Sequence, residues 1–239
     1  MKFKKIIIPL VIIAVVAVAA LLICKCKGLI GSTDTEQTYE QIVTEKLESG
    51  EIETDASVNG ISVVSVDSIT GMYVEDGSDD VLSDILTVTF RNDADVTLQY
   101  AKLILSIGEE DYVFDISTVP PGQSVRAMEI NRKSLVSADG DVSLNQENIV
   151  WFNEEPSMCE DVLSVEQSSN GIILKNISSD TITAPVYVFY KNYVDDVLIG
   201  GITYRTGTDK DIKPGKTVVL SAGHFDPEVS QLMFITYGS

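Results

Sequence analysis

Leu86-Thr87-Val88-Thr89-Phe90-Arg91-Asn92-Asp93-Ala94-Asp95-Val96-Thr97 reads as a strand, a turn and the start of a second strand. Leu86, Val88 and Phe90 alternate with Thr87, Thr89 and Arg91, the period of two that sends one set of side chains to a core. Asn92 to Asp95 then gather residues that bond to their own backbone in turns. The same grammar returns at Ile172-Ile173-Leu174-Lys175-Asn176-Ile177-Ser178-Ser179-Asp180, with Thr183 leading into the next strand. Each copy closes a strand on a basic residue and Asn.

The likeness continues downstream. Pro121-Gly122-Gln123-Ser124-Val125 parallels Pro214-Gly215-Lys216-Thr217-Val218, and each half finishes on an apolar strand, at 149–152 and 232–235. Asn92 and Pro121 are 29 positions apart, Asn176 and Pro214 38, and the extra nine fit a longer hairpin around Tyr193–Gly201. Tyr112, Phe114 and Ile116 share a face, as do Val186, Val188 and Tyr190, and Leu232 and Phe234. Turns are expected at Asp76-Gly77, Pro120-Pro121-Gly122, Asp139-Gly140, Gly200-Gly201 and Lys213-Pro214-Gly215. The expected fold is all-β, with half-buried strands in two tandem immunoglobulin-like β-sandwich domains, 57–153 and 160–239. Each would hold about seven short strands, with Glu154-Glu155-Pro156 as the junction. One large β-domain with a chance internal likeness is the alternative.

Three motifs of the second half carry a family resemblance. They are Lys175-Asn176-x-Ser178-x-Asp180-x-x-Thr183, then Val186-Tyr187-Val188-Phe189-Tyr190, then Lys213-Pro214-Gly215-Lys216-Thr217. Residues 160–239 resemble the FxLYD-type β-sandwich domains of extracytoplasmic bacterial proteins, and 57–153 resemble them loosely, at Asn92 and Pro121-Gly122. The family has an acidic residue directly after the tyrosine, where this chain has Lys191. The resemblance implies a small extracytoplasmic module, often in Gram-positive bacteria, with no defined activity.

Residues 6–24 are uncharged and almost wholly apolar, and as a helix they would span about 28 Å, close to the hydrocarbon thickness of a bilayer. Ile6, Leu10, Val16 and Leu22 mark this expected transmembrane anchor, and the lipid bilayer is its expected partner. Lys2, Lys4 and Lys5 precede it and Lys25 and Lys27 follow, which favours a cytoplasmic tail at 1–5 and an extracytoplasmic remainder. A secretory signal cleaved after Ala17-Val18-Ala19 is the competing reading, although the apolar run continues through Ile23. Lipidation at Cys24 is disfavoured because Ile23, not a small residue, precedes it. Residues 25–56 read as a polar stalk. Asp34 and Gln37 have capping-box spacing, and Tyr39, Ile42, Val43 and Leu47 fall on one face of a short helix.

Beyond Lys27 stand 12 basic and 36 acidic residues, a formal charge of −24. Nucleic acid needs Lys/Arg patches, so no nucleic-acid partner is expected; a solvated domain held off a negative membrane fits. Three cysteines exclude a disulfide-stapled scaffold.

No catalytic or cofactor-binding site is expected. The one histidine, His224, has no nucleophile in a recognisable turn nearby. Cys159 lies beside Glu160 and Asp161, which would raise its pKa. Pro214-Gly215-Lys216-Thr217 lacks the earlier glycine of a phosphate loop, since position 210 is lysine. Calcium is the one metal weighed, at Glu75, Asp76, Asp79, Asp80 and Asp84, at Asp93 and Asp95, and at Asp139 and Asp141, with solvated acidic loops preferred. No zinc constellation exists. The expected function is non-enzymatic binding of a protein or envelope component. Val194, Val197, Leu198 and Ile199 of the long hairpin are the candidate interaction residues. An accessory subunit of a membrane export, signalling or surface-assembly complex is the alternative.

Overall fold

Alternating apolar residues between turn signals become thirteen strands among the described residues of a computed structural model, which are 52, 54–78, 80–136, 140–169 and 171–238. The expected anchor, cytoplasmic tail and stalk helix lie outside them. Among the described residues no helix is long and apolar enough to cross a membrane.

The first half contains β1 (Ser57–Val58), β2 (Ile61–Met72), β3 (Val81–Asn92), β4 (Leu98–Ile107), β5 (Glu110–Val119), β6 (Ser124–Met128) and β7 (Val142–Trp151). The second contains β8 (Leu163–Ser168), β9 (Gly171–Asn176), β10 (Val186–Val194), β11 (Val197–Thr208), β12 (Thr217–Leu220) and β13 (Ser230–Tyr237). In the first, β3 pairs with β2 and β6, and β4 pairs with β5 and β7, all antiparallel. In the second, β9 pairs with β8 and β12, and β10 pairs with β11 and β13, again antiparallel. Strand for strand, β2–β7 and β8–β13 follow one pairing scheme.

Each scheme encloses its own core. Val88 and Phe90 of β3 meet Leu103 of β4 and Phe114 of β5, with the two phenyl rings edge-on at 5.3 Å. Ile172 and Leu174 of β9 meet Val186, Val188 and Tyr190 of β10. β3 departs from its expected half-burial, because Ile85–Phe90 are buried on both faces. The polar face is covered too: Thr89 Oγ1 accepts hydrogen bonds from Ser65 Oγ and Arg126 Nε.

The corner that repeats in the sequence repeats in the hydrogen bonds. Asn92 Nδ2 donates to the carbonyls of Val96 and Val119, and Asn92 Oδ1 accepts from the Ala94 N–H. Asn176 Nδ2 donates to the carbonyls of Asp180 and Ile212, and Asn176 Oδ1 accepts from the Ser178 N–H. The glycine of each Pro-Gly turn donates its N–H to the asparagine's own carbonyl, Gly122 to Asn92 and Gly215 to Asn176. Both asparagines are fully buried, and their bonds to the Val119 and Ile212 carbonyls satisfy acceptors buried with them.

A short parallel ladder joins the halves: Val197, Leu198 and Ile199 of β11 pair with Ser124, Val125 and Arg126 of β6. It fuses two sheets into one of seven strands, ordered β1-β2-β3-β6-β11-β10-β13, flanked by β12-β9-β8 and β5-β4-β7. All described residues fall in one compact unit. The turn expected at Gly200-Gly201 instead lies inside β11. The hairpin reverses at Asp195-Asp196, whose φ angles of +50° and +63° match a two-residue turn between right-twisted strands.

Candidate functional site

Lys191 directly follows Tyr190 in β10, and the backbone around it is irregular. Between the paired residues Tyr190–Tyr204 and Asn192–Ile199, β10 supplies only Lys191 while β11 supplies residues 200–203. The excess backbone arcs outward as a bulge and turns its carbonyls inward. Lys191 Nζ donates to the carbonyls of Gly200 (2.9 Å), Gly201 (3.0 Å), Ile202 (2.8 Å) and, from β5, Ser117 (3.1 Å). Glu75, from the β2–β3 loop, lies against the same arc. Its Oε1 accepts from the Met128 N–H at 2.7 Å and its Oε2 from the Gly201 N–H at 2.8 Å. Gly201 therefore bonds the carboxylate through its N–H and the ammonium through its carbonyl. A Cβ there would overlap the Asp115 carbonyl, which is why the position takes glycine.

Both groups are buried, Lys191 to 0% exposure. Burial pushes the Glu75 carboxyl above its ordinary value, opposed by the Met128 N–H and the Lys191 charge. Burial likewise pushes Lys191 down, opposed by Glu75. The geometry decides the protonation. Four carbonyls suit an ammonium with three hydrogens, whereas a neutral amine would turn a lone pair toward one of them. Both Glu75 oxygens accept N–H bonds, as a carboxylate does. We assign an ionised pair, one charge from each half, stitching the joint.

Flanking groups extend the joint. Tyr73 Oη donates to the Glu129 and Ile130 carbonyls, and Tyr204 Oη reaches the Val74 carbonyl at 3.5 Å. Ser117 Oγ and Thr203 Oγ1 lie 2.8 Å apart across the halves. Burial first, then the negative charges of Glu75 and Asp76, push the Tyr73 phenol up to about 12.

Beside the joint lies a cleft of about 1110 Å³. Gly122, Gln123 and Ser124 line it from the first half, and Leu163, Ser164, Val165 and Gln167 of β8 from the second. Tyr193, Asp196 and Leu198 of the hairpin line it too, with Gln231 and Leu232 of β13. β8 is an edge strand, hydrogen-bonded only to β9. Ile177 in the lining is 51% exposed. The charged lining residues are Glu160 and Asp196, both exposed and acidic. Gln123 Oε1 is buried without a hydrogen-bond partner among the described residues.

The candidate hairpin residues are placed otherwise than expected. Leu198, 2% exposed, belongs to the first-half core, and Ile199, 4% exposed, packs with Ile69, Tyr73, Val74, Ile85 and Met128. Val194 packs partly buried against that second cluster, and half-buried Val197 pairs with Ser124. Of the candidate interaction residues, Leu198 and Ile199 are thus covered within the chain, Leu198 by the first-half core and Ile199 by the cluster with Tyr73, Val74 and Met128. The anchor residues Ile6, Leu10, Val16 and Leu22 lie outside the described residues.

The acids weighed for calcium divide among other partners. Glu75 is taken by the joint, while Asp76 and Asp80 both bind Arg132, at 2.7 and 3.1 Å. The Ser78 hydroxyl and N–H, then Arg132, hold Asp76 down to about 2. Asp84 accepts from Ser68 Oγ, and Asp93 pairs with Arg91. Asp79 and Asp139 lie outside the described residues. Among those described, no three His, Cys, Asp or Glu side chains are grouped to hold a metal ion. The His224 ring stacks on Tyr204 at 4.8 Å. Burial, then Asp161, raises the pKa of Cys159, whose Sγ faces the Ser157 and Ile235 carbonyls.

No protein-family model and no curated protein matches this chain.

Proposed function

We propose that this chain is a single-pass membrane protein that holds two tandem immunoglobulin-like β-sandwich domains outside the cell to bind another protein, without catalysis. The cleft carries the reading: an edge strand, exposed apolar surface and a volume suited to a peptide segment meet in one place. The apolar run at 6–24 supports the anchor, and the −24 charge beyond it supports a water-facing remainder.

Protease added to intact cells is expected to digest residues beyond the anchor. A photo-crosslinking side chain at exposed Gln167, in the full chain in its native membrane, is expected to capture a protein that the same probe at exposed Glu109 does not. Protection from protease, or equal capture at both positions, would contradict the proposal. Replacing 6–24 with an unrelated anchor is expected to leave capture intact; its loss would favour an accessory subunit that works through the anchor.

A further inference from the structure

We propose that the cleft takes an extended, basic segment of a partner protein, which adds to the sheet along the free edge of β8. This rests on the protein-binding reading above and specifies the ligand's chemistry.

Backbone geometry gives the first half of the inference. Along an antiparallel edge, alternate residues turn their N–H and C=O away from the paired strand. β8 pairs with β9 from Leu163↔Asn176 to Ser168↔Gly171, has no second partner strand among the described residues, and contributes Leu163, Ser164, Val165 and Gln167 to the cleft lining. An added strand would satisfy those groups, and its side chains on one face would meet Ile177 and Leu232. β8 also lacks the lysine or proline with which natural edge strands block such pairing.

Charge gives the second half. Glu160 and Asp196 stand in the cleft with no Lys or Arg among its lining residues. Around them the chain beyond Lys27 carries −24. This field draws in cations and repels a second copy of the same chain. An occupant with alternating Lys or Arg and apolar residues matches both the edge and the charge.

Binding of dye-labelled octapeptides to the full chain in lipid nanodiscs tests this. The probes are alternating Lys-Val, alternating Glu-Val, and a Lys-Val peptide N-methylated at alternate residues, read by fluorescence anisotropy at low and high salt. Lys-Val is expected to bind, more weakly at high salt, and Glu-Val not to bind. N-methylation removes ladder donors and leaves charge intact, so at least about tenfold weaker binding is expected. Neutralising the cleft with Glu160→Gln and Asp196→Asn should weaken Lys-Val binding about fivefold at low salt. Glu109→Gln with Glu110→Gln makes the same charge change at the far β4–β5 turn and should leave binding unchanged. Equal binding of the N-methylated peptide, or equal loss in the two double variants, would reduce the effect to diffuse attraction and overturn the proposal. A dimer of the chain that excludes the peptide would assign the cleft to a second copy and also overturn it. Cellular capture at Gln167 without Lys-Val binding would overturn this inference and leave the proposed function standing. Absence of both would remove the two together.

Discussion

At the scale of single residues, Lys191 and Glu75 determine how the halves meet. Their opposite charges meet through the backbone of Gly201, and removing one leaves the other buried without its counter-charge. Lys191→Met also orphans four carbonyls, so it is expected to cost about 3–5 kcal/mol, measured as a lowered urea midpoint. An unchanged midpoint would mean the ammonium is dispensable. Tyr73 adds a pH signature. Its native pKa is raised from 10 to about 12, so its contribution is complete below pH 10 and disappears as pH rises toward 12. Stability should fall across that window, and Tyr73→Phe should flatten part of the fall. Tyr100, also pushed up to about 12 by burial and its bond to Asp115, retains its own share. An identical slope in wild type and variant would contradict this. From the sequence, Lys191 was visible only as a departure from a family pattern, and Glu75 only as one acid among five. What binds them lies 116 positions apart in the chain, and no local spacing encodes it.

At the scale of elements, local rules carried far. The alternation in β5 and β10 placed Tyr112, Phe114, Val186 and Val188 in the cores, where they are buried. The Asn-turn and Pro-Gly pairs pointed to a repeated corner, and both corners have the same bonds. Asn92→Ala deletes three hydrogen bonds and Asn176→Ala four, and each leaves a buried carbonyl unpaired, that of Val119 or of Ile212. Similar losses of about 3 kcal/mol are expected in chemical denaturation. A large loss at one and none at the other would deny that the corners are equivalent. Legibility ended where pairing became long-range. Gly200-Gly201 looked like a turn because two glycines commonly mark one, but here they let a bulge close around an ammonium. Likewise the burial of Leu198 and Ile199 is not legible locally, because their cover comes from the other half of the chain. The Thr87 and Thr89 face of β3 is covered within its own half, by Ser65 of β2 and Arg126 of β6, which are distant in the chain.

At the scale of the whole molecule, a repeated pairing scheme has been turned into one body by a three-residue parallel ladder and by Glu75 and Lys191, opposite charges that both bond to Gly201. The cleft is lined by residues of both halves, Gly122, Gln123 and Ser124 from one and β8 from the other, so the binding proposal depends on the joint's rigidity. Trp151, the one tryptophan, lies in β7 of the first half, while far-UV circular dichroism reports strands of both halves. The most direct measurement is urea unfolding of the full chain in detergent micelles, followed by both signals. Coincident curves with a single midpoint are expected for the native chain, separating into two steps in Lys191→Met. Two resolved steps in the native chain, or coincident curves in the variant, would contradict a joint that makes the two halves fold as one.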